Sequence, residues 1–390
     1  MNIGILGGGI GGLSSAIALK QRGFKVDVYE RHAGPSEIGA GIVCWPNASF
    51  VLEQLGVLPQ VAKVAGLISF MKRYSSEGEA LGSMDIRKLN NLMAYPSYSI
   101  LRKDLMRILT QRAYELGILI HYQHNVQSLS ENITEHKQNT AVHFTNGRTI
   151  HPDVIIGADG RMNSMARLFV TGDHKPVFQK FINWIGVFES DSEIFQDKAV
   201  SDYWGVGQRF GVVPISKSKA YWAAGVVAEE IDDIKVDTFK PDLTNLFRGW
   251  PDPIFKIITQ TPLASIGKIY VHDHDPINNW HKGNVLLLGD SAHAPLPTSG
   301  QGACQALEDA WHLARYLEEY SEELNLALSK FTAARMTKTQ GITMAGRQLA
   351  ASIFNEDKAY CQERNIRSKD TDYGLVVSGM AKNWSFGLPI

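Results

Sequence analysis

Three glycines close to the start of the chain have a spacing that suits phosphate binding. Gly7, Gly9 and Gly12 form a Gly-x-Gly-x-x-Gly run between an apolar strand predicted at Asn2–Leu6 and a helix predicted over 12–22. In such a turn the first glycine permits a tight bend, the second lets the backbone approach a pyrophosphate, and the third lets helix and strand pack closely. The unpaired N–H groups of the helix N-terminus then point at the phosphates.

An acidic residue stands where such a site needs one. Glu30 lies 18 residues beyond Gly12, directly after a second strand predicted at Lys25–Tyr29. A carboxylate at that place accepts hydrogen bonds from the ribose hydroxyls of a dinucleotide. The pattern predicts a dinucleotide site, with a glycine-rich turn that binds no ligand as the alternative. These residues alone leave the choice between NAD and FAD open.

Two more glycine-containing motifs follow apolar, strand-like segments later in the chain. After residues 154–156 come Gly157-Ala158-Asp159-Gly160, Ser164 and Arg167. After residues 285–288 come Gly289-Asp290-Ser291-Ala292-His293, Pro295, Pro297 and Gly300-Gln301-Gly302. Between the motifs, alternating apolar residues predict antiparallel strands at 181–189, Gln208–Pro214 and 220–227. Helices are predicted at 306–320 and from residue 324 to about residue 354, and the segment from Asn355 is left unassigned.

The three motifs, in this order and spacing, resemble the flavoprotein aromatic hydroxylases of the p-hydroxybenzoate hydroxylase family. The resemblance extends over roughly residues 1–350. Within that family the chain is most similar to the FAD-dependent urate hydroxylases, with salicylate and 3-hydroxybenzoate hydroxylases as near neighbours. The local similarities are Trp45-Pro46-Asn47, Asn183-Trp184, Gly249-Trp250 and the run from Val271 to Pro276.

The resemblance implies an α/β fold with three parts. A Rossmann-like FAD-binding domain of the GR2 type is expected to comprise residues 1–70, 98–175 and 270–330. An inserted, mainly antiparallel β-sheet substrate domain is expected at 71–97 and 176–269. C-terminal helices and a tail are expected at 331–390.

The resemblance also implies which residues bind FAD. Asp290 corresponds to the residue that bonds the ribityl chain, Arg102 to a flavin-side arginine, and Asp159 to a residue that serves both FAD and the pyridine nucleotide. The alternatives are a helix N-cap for Asp290, an exposed helix charge for Arg102 and a turn residue for Asp159. The full predicted cofactor set is Gly7, Gly9, Gly12, Glu30, Arg31, Arg102, Asp159, Asp290, Pro297, Gly300 and Gly302. Gly300 and Gly302 are expected to begin a helix that faces the flavin's pyrimidine edge.

Arg209 and Tyr221 are the predicted catalytic residues. Arg209 interrupts an otherwise apolar strand, and a guanidinium suits an anionic ring oxygen because its donors form a planar fork. If Val213 pairs with Tyr221, both side chains lie on the same face of the sheet. An arginine and a tyrosine at matching positions contact the substrate in urate hydroxylases. The alternatives are a solvent-facing charge for Arg209 and core packing for Tyr221.

The implied function is an FAD-dependent monooxygenase that uses NAD(P)H and O2. In this family oxygen adds at flavin C4a, and the hydroperoxide hydroxylates a small aromatic or heteroaromatic substrate, here a urate-like purine or a salicylate- or hydroxybenzoate-like ring. One alternative is a flavin monooxygenase that inactivates a bulky drug or secondary metabolite. Another is a non-catalytic binding protein of the same fold. The sequence leaves NADH versus NADPH open.

Composition narrows the classes of partner. The 390 residues contain 39 basic and 40 acidic side chains, so a nucleic-acid-binding surface is not expected. An apolar membrane span is not expected, and the glycine-rich start does not fit a signal peptide. Three scattered cysteines fit a cytoplasmic protein. His272-Asp273-His274-Asp275 is expected to be a solvated connection without metal, and Asn284 is expected to affect the surface. The oligomeric state is left open.

Overall fold

The computed structural model describes residues 1–35, 40–134 and 137–390. The first strands are β1 (Asn2–Leu6), β2 (Lys25–Tyr29), β3 (Gly41–Cys44), β4 (Gly66–Leu67), β5 (Phe70–Ser75), β6 (Ala80–Asp85), β7 (Tyr98–Leu101), β8 (Leu119–His121), β9 (Val126–Thr134) and β10 (Lys137–Phe144). The later strands are β11 (Thr149–Ile150), β12 (Val154–Gly157), β13 (Val177–Glu189), β14 (Ala199–Trp204), β15 (Gln208–Pro214), β16 (Lys219–Val227), β17 (Ile266–Asp273), β18 (His281–Lys282) and β19 (Val285–Leu287).

The α-helices lie between and after these strands. They are α1 (Ile10–Gln21), α2 (Pro46–Gln54), α3 (Leu58–Val64), α4 (Ile86–Leu92), α5 (Arg102–Glu115), α6 (Met165–Thr171), α7 (Phe239–Leu246), α8 (Ile254–Gln260), α9 (Gly302–Glu319), α10 (Leu324–Ile353), α11 (Lys358–Lys369) and α12 (Tyr373–Ser385).

A six-stranded sheet has the order β18-β19-β12-β1-β2-β8, and all its pairs are parallel except β18 with β19. Ile3, in β1, aligns with Val26 on one side and Val154 on the other. The central strands β1, β12 and β19 are largely apolar because both of their faces are covered: helices that include α1 cover one face, and strands β9–β11 with helix α6 cover the other. The mixed α/β fold predicted from the sequence is confirmed. The carboxyl ends of these strands meet at one edge of the sheet, and the predicted motifs follow them.

The first helix begins earlier than the sequence predicts. Helix α1 starts at Ile10, with Gly9 as its N-cap residue in an extended conformation, and not at Gly12. Gly12 therefore lies inside the first turn of the helix. Glycine costs little stability there, because its missing side chain is what allows the helix to approach β1.

A seven-stranded, mostly antiparallel sheet has the order β17-β13-β16-β15-β14-β5-β6. One face is covered by α7 and α8 through a cluster that includes Trp184, Phe210, Trp222, Phe239 and Ile257. The other face carries Arg209 and Tyr221, because Val213 pairs with Tyr221 as the prediction required. Strands β5 and β6 join this sheet from far earlier in the chain. The three-part division of the chain given above stays a prediction.

The C-terminal part is more helical than the sequence suggested. Helix α9 begins at Gly302, where the family resemblance places the helix start and four residues before the start that the apolar pattern predicts, and the unassigned segment forms α11 and α12. Asp357 and Asp372 cap these two helices by accepting hydrogen bonds from backbone N–H groups of the first turns. Tyr373 then packs against Gly82 in β6, where a Cβ atom would stand 2.2 Å from the tyrosine ring.

Two surface expectations are wrong. Asp273 and His274 are buried, so the middle of the run 272–275 is not solvated, although Asp275 is exposed. Asp273 accepts two hydrogen bonds from Arg347 of α10, and these offset the free-energy cost of burying the carboxylate. Asn284 is also buried, and its amide donates to the carbonyl oxygens of Pro152 and Asp153 beside β12.

Candidate active site

An open cleft of about 220 Å³ lies beyond the carboxyl ends of β1, β2, β8 and β12. Ligands of open α/β sheets bind in the crevice outside these ends. Six of the predicted cofactor residues line the cleft: Gly7, Gly9, Glu30, Arg31, Arg102 and Asp159. The cleft is therefore the part of the surface to which the glycine motif and the second motif both contribute.

Each glycine of the first motif has a measurable reason to be glycine. Gly7 has φ +108°, and a Cβ atom there would lie 2.2 Å from the carbonyl oxygen of Ala158. A Cβ atom on Gly12 would lie 2.0 Å from the carbonyl oxygen of Gly7. At Gly9, in contrast, a Cβ atom would meet nothing within 4 Å, so it would project into free space at the N-terminus of α1. Gly7 and Gly12 serve the turn, and Gly9 leaves room beside the helix N-terminus.

Glu30 is held in place by the backbone around it. Its Oε2 accepts a hydrogen bond of 2.7 Å from the N–H of Gly8, and its Oε1 accepts one of 2.9 Å from the N–H of His32. Each carboxylate oxygen can accept a second hydrogen bond. The carboxylate therefore links the glycine turn to β2 and still has acceptor capacity for hydroxyl groups in the cleft.

Arg102 brings a buried positive charge to the cleft. It is the first residue of α5, and burial lowers the pKa of its guanidinium, although the nearby Asp290 and Glu30 carboxylates oppose this. Its Nη1 is buried without a hydrogen-bond partner among the described residues. A buried donor without a partner is costly, so a ligand acceptor at this point would satisfy Arg102. Together with the free space beside Gly9, this fits an anionic dinucleotide such as FAD.

Asp159 and Asp290 have different surroundings. Asp159 accepts from the Ser164 hydroxyl at 2.5 Å and from the N–H of Ala166 at 3.2 Å, and burial raises its pKa. It therefore organises its own turn, while also lining the cleft. Asp290 follows β19 in a short 3-10 turn and accepts from Arg161 Nη1 at 3.1 Å. It caps no α-helix of the described chain.

The remaining predicted cofactor residues lie outside the lining of the cleft. Pro297 opens a 3-10 turn that ends at Gly300, whose φ is +61°, and α9 begins at Gly302 as expected. A Cβ atom on Gly300 would lie 3.1 Å from Nε1 of Trp45. That indole N–H is buried and has no hydrogen-bond partner among the described residues. The start of α9 therefore adjoins a second buried donor.

Arg209 and Tyr221 lie on the face of the seven-stranded sheet that points away from α7 and α8. Arg209 Nε donates to Asp202 Oδ1 at 2.6 Å, and its side chain is 20% exposed. Tyr221 is partly buried, and burial raises the pKa of its phenol. Arg209 is near enough to act on this pKa in the opposite direction. The two side chains predicted as catalytic are thus neighbours, and Arg209 is not a freely solvated charge.

Strand β3 connects this face to the cleft. Gly41 packs directly against the ring of Tyr221, because a Cβ atom there would lie 1.7 Å from Tyr221 Cδ1. Gly41 also pairs with Leu101, the residue before Arg102. The backbone N–H of Arg102 donates to the carbonyl oxygen of Ala40 at 2.8 Å. The Tyr221 ring on the predicted substrate face is therefore connected to the predicted cofactor cleft through the backbone of β3 and the start of α5.

Sequence reasoning missed one wall of the cleft. This wall is formed by Tyr122, His124, Asn125 and Val126, which follow the three-residue strand β8. The position of these residues at the carboxyl end of a parallel strand is the signal that would have found them. Strand β8 is too short for periodicity to reveal it.

Sequence reasoning also missed a buried ionic cluster behind α9. Arg335 of α10 donates to Asp309 Oδ1 at 2.7 Å and to Glu308 Oε2 at 2.6 Å. Lys338 Nζ donates to Glu308 and to the carbonyl oxygens of Trp384 and Phe386. His293 Nε2 lies 2.7 Å from Asp309 Oδ2, which gives His293 a buried hydrogen-bond partner in this cluster. Because these charges pair with one another, the cluster joins α9, α10 and α12.

Two features are absent from the described ranges 1–35, 40–134 and 137–390. No helix there is long and apolar enough to cross a membrane. No group of three or more histidine, cysteine, aspartate or glutamate side chains there has an arrangement that could hold a metal ion.

Comparisons with known proteins also point to FAD as the cofactor. A family model described as "FAD binding domain" matches residues 1–328. The aurachin C monooxygenase/isomerase of Stigmatella aurantiaca is 32% identical over 94% of this chain and 94% of its own length. The FAD-dependent urate hydroxylase of Mycolicibacterium vanbaalenii is 31% identical over 98% of this chain and 96% of its own length.

A solved structure shows the same fold over the whole chain. HpxO of Klebsiella pneumoniae, complexed with FAD and uric acid, superposes with a TM-score of 0.89 at 26% identity, covering 100% of this chain and 97% of HpxO. The match to the family extends over most of the chain, and the cleft combines free space beside Gly9 with the unpartnered Nη1 of Arg102. This protein belongs to the FAD-binding-domain family of flavoprotein monooxygenases.

Proposed function

We propose that this chain uses NADH or NADPH and O2 to hydroxylate a small planar aromatic or heteroaromatic anion, with a urate-like purine as the first candidate. The proposal rests on the hydrogen bonding of the Arg209 guanidinium. Its Nη1 and Nη2 donate to no protein group in the described part of the chain, although the residue lies on a largely buried face. A guanidinium with two free amino groups matches a planar anion.

The cofactor site assigns roles to the predicted residues. The N-terminus of α1, with Gly7 and Gly9, would face the pyrophosphate, and Glu30 would accept from ribose hydroxyls. Arg102 and Asp290 would contact the flavin half, since the buried Nη1 of Arg102 has no protein partner. Bound FAD supplies the electron transfer and oxygen activation that amino-acid side chains lack.

The sheet face supplies substrate binding. Arg209 would hold an anionic ring oxygen and favour the anionic form of the substrate, which is the better nucleophile. Because burial raises the pKa of Tyr221, its phenol stays neutral in ordinary assays and acts as a hydrogen-bond donor. The apolar side chains Met71, Val200 and Val213 share the face with these two residues and keep water away.

Several finer assignments are part of the same proposal. Support for NADH or NADPH comes from the family resemblance of the Asp159 motif, and the choice between the two is left to assay. Support for a cytoplasmic location comes from Cys44, Cys304 and Cys361, all of which are free thiols and buried. Support for urate comes from the relatives named for urate hydroxylation and from HpxO with uric acid.

The test compares Arg209→Ala with the wild-type holoenzyme. We expect the KM for urate in NAD(P)H oxidation to rise about 10- to 100-fold, because a charge-assisted hydrogen bond contributes about 1.5–3 kcal/mol. The matched control is Arg248→Ala, which removes an exposed arginine that bonds only Asn245 among the described side chains. A yellow wild-type protein that urate, salicylate and hydroxybenzoates all fail to stimulate would contradict the proposal.

A second candidate substrate class is a bulky drug or secondary metabolite. The similarity to a protein named aurachin C monooxygenase/isomerase favours this class. It predicts that Arg209→Ala leaves the KM of the true substrate unchanged, because a wide apolar pocket would hold the ring without the guanidinium.

A further inference from the structure

The orientation of Arg209 is set by a single buried contact. Nε of Arg209 donates to Oδ1 of Asp202 at 2.6 Å, and Asp202 is only 2% exposed. Strand pairing aligns Trp204 with Arg209 and Asp202 with Gly211, so Asp202 lies one step along the sheet from Arg209 on the same face. The guanidinium must therefore lean along the strand to reach the carboxylate.

Asp202 is itself fixed by a second donor. Its Oδ2 accepts a hydrogen bond of 2.9 Å from Nε1 of Trp204, which is also buried. With one oxygen bound to Trp204 and the other to Arg209, the carboxylate has no freedom to rotate. The guanidinium lies over Gly211, where a Cβ atom would be in ordinary van der Waals contact with Arg209 Nη2 at 3.8 Å.

The same chain contains an arginine–aspartate pair of a different kind. Arg347 donates to Asp273 through both Nε and Nη2, at 2.7 Å and 2.9 Å, and its Nη2 also lies 2.8 Å from Asp275. That guanidinium is used to neutralise and join two elements. Arg209 meets an equally buried carboxylate through Nε alone, which leaves both terminal amino groups for another acceptor.

We infer that Asp202 is a positioning residue for substrate binding. It holds Arg209 through Nε, so that Nη1 and Nη2 face the substrate ring beside Tyr221. This inference rests on the proposed function, because it assumes that Arg209 contacts the substrate. Trp204 acts one step further away by holding Asp202. Neither Asp202 nor Trp204 needs to touch the substrate for its replacement to change turnover, since a shift of about 1 Å at a reacting group can cost about 100-fold in rate.

The experiment measures the FAD-loaded protein with Asp202→Asn and Trp204→Phe. Asparagine keeps the size of the side chain, but its amide N–H group would face one of the two donors that bind Asp202, Arg209 Nε or Trp204 Nε1. We expect Asp202→Asn to raise the KM for urate at least tenfold and to lower the product formed per NAD(P)H oxidised, while the Kd for FAD stays within twofold. Trp204→Phe should shift the same two quantities in the same direction by about threefold.

Asp273→Asn is the matched control, because it breaks the other buried arginine–aspartate pair outside the site. We expect it to lower the Tm but to leave the KM for urate and the product yield unchanged. If Asp202→Asn behaves in the same way, Asp202 has only a structural role and the inference is wrong. If Asp202→Asn does not fold, Trp204→Phe decides between the two outcomes by the same quantities.

Arg209→Ala, measured in parallel, separates the two levels of the argument. A large effect of Arg209→Ala with none from Asp202→Asn or Trp204→Phe overturns the positioning role alone. No effect from Arg209→Ala overturns the substrate role of Arg209, and the inference fails with it. If the KM for urate and the product formed per NAD(P)H change in the same directions in all three variants, the substrate role of Arg209 and the positioning role of Asp202 are both supported.

Discussion

The cofactor cleft and the substrate face of the seven-stranded sheet are built by different means. The cleft depends on backbone geometry. Two glycines permit the turn and a third leaves free space, and the N-terminus of α1 supplies a positive electrostatic potential. The sheet face depends on side chains, above all Arg209 and the residues that aim it. Backbone geometry requires particular residues at particular spacings, whereas a side-chain site can be assembled from any strand that passes. The first kind of site leaves a motif in the sequence and the second does not.

The strongest way to break this comparison is to fill the free space in the cleft. Gly9→Val introduces a side chain where nothing lies within 4 Å, at backbone angles that any residue adopts. We expect a folded protein whose affinity for FAD falls more than about 100-fold, because the side chain occupies the place of the pyrophosphate. Flavin absorbance of the purified protein and titration with FAD measure this.

A second glycine in open space provides the control for that variant. A Cβ atom on Gly341, in α10, also meets nothing within 4 Å. Gly341→Ala should keep FAD and gain about 0.5–1 kcal/mol of stability, as expected for a helix interior. Retention of FAD by Gly9→Val would show that the cleft does not hold the pyrophosphate.

A smaller effect should follow from a change between the two regions. Gly41→Ala places a methyl group against the Tyr221 ring, which must move. We expect kcat/KM for urate to fall about 10- to 100-fold with little change in the Kd for FAD, because only the substrate side is displaced. Steady-state kinetics and FAD titration on one preparation separate these quantities. Equal loss of FAD and turnover would show that β3 serves the cleft as well.

The smallest effect concerns a residue that belongs to neither region. Burial lowers the pKa of His312, beside the ionic cluster, to about 2 from 6.5. Between these pH values the unfolded chain binds a proton that the folded protein does not, so this residue makes stability rise with pH. The free energy of unfolding should therefore decrease by up to about 1.4 kcal/mol per unit as pH falls through this range.

Replacing that histidine tests its separation from the site. His312→Gln should reduce the slope of unfolding free energy against pH between pH 6 and pH 4, while KM, kcat and FAD affinity at pH 7.5 stay unchanged. Denaturant titration at several pH values measures the slope. An unchanged slope would mean that His312 is protonated in the folded protein.

Much of the fold could be predicted because its signals are local. Strands β1, β2 and β15 have the predicted bounds, since continuous or alternating apolar runs end at glycine, proline or charged residues. Helix α11 escaped prediction because it is rich in polar residues, and its N-cap Asp357 alone is too weak a signal. Helix α12 did offer a signal that sequence reasoning missed: Asp372 at its N-cap precedes an apolar stripe of Val377, Met380, Ala381 and Trp384.

The candidate site was predictable only in part, for a reason visible in its contacts. The pairing of Val213 with Tyr221 could be anticipated from the turn between their strands. The role of Asp202 could not, because nothing local links its strand to that of Arg209 until the sheet is known. Similarly, Glu308 and Arg335 meet across two helices, and periodicity does not say which helical faces meet.

The contacts of Lys338 determine the order in which parts of the chain can pack during synthesis. Its ammonium group is buried and needs the carbonyl oxygens of Trp384 and Phe386, which lie 46 and 48 residues further along the chain. Ribosomes add about 5–20 residues per second, so these acceptors are synthesised about 2–10 s after the lysine. During that interval Glu308 is already available as the lysine's ionic partner, but the two carbonyl acceptors are missing. Final closure of the α9–α10 core therefore waits for the last turn of α12 to leave the ribosome.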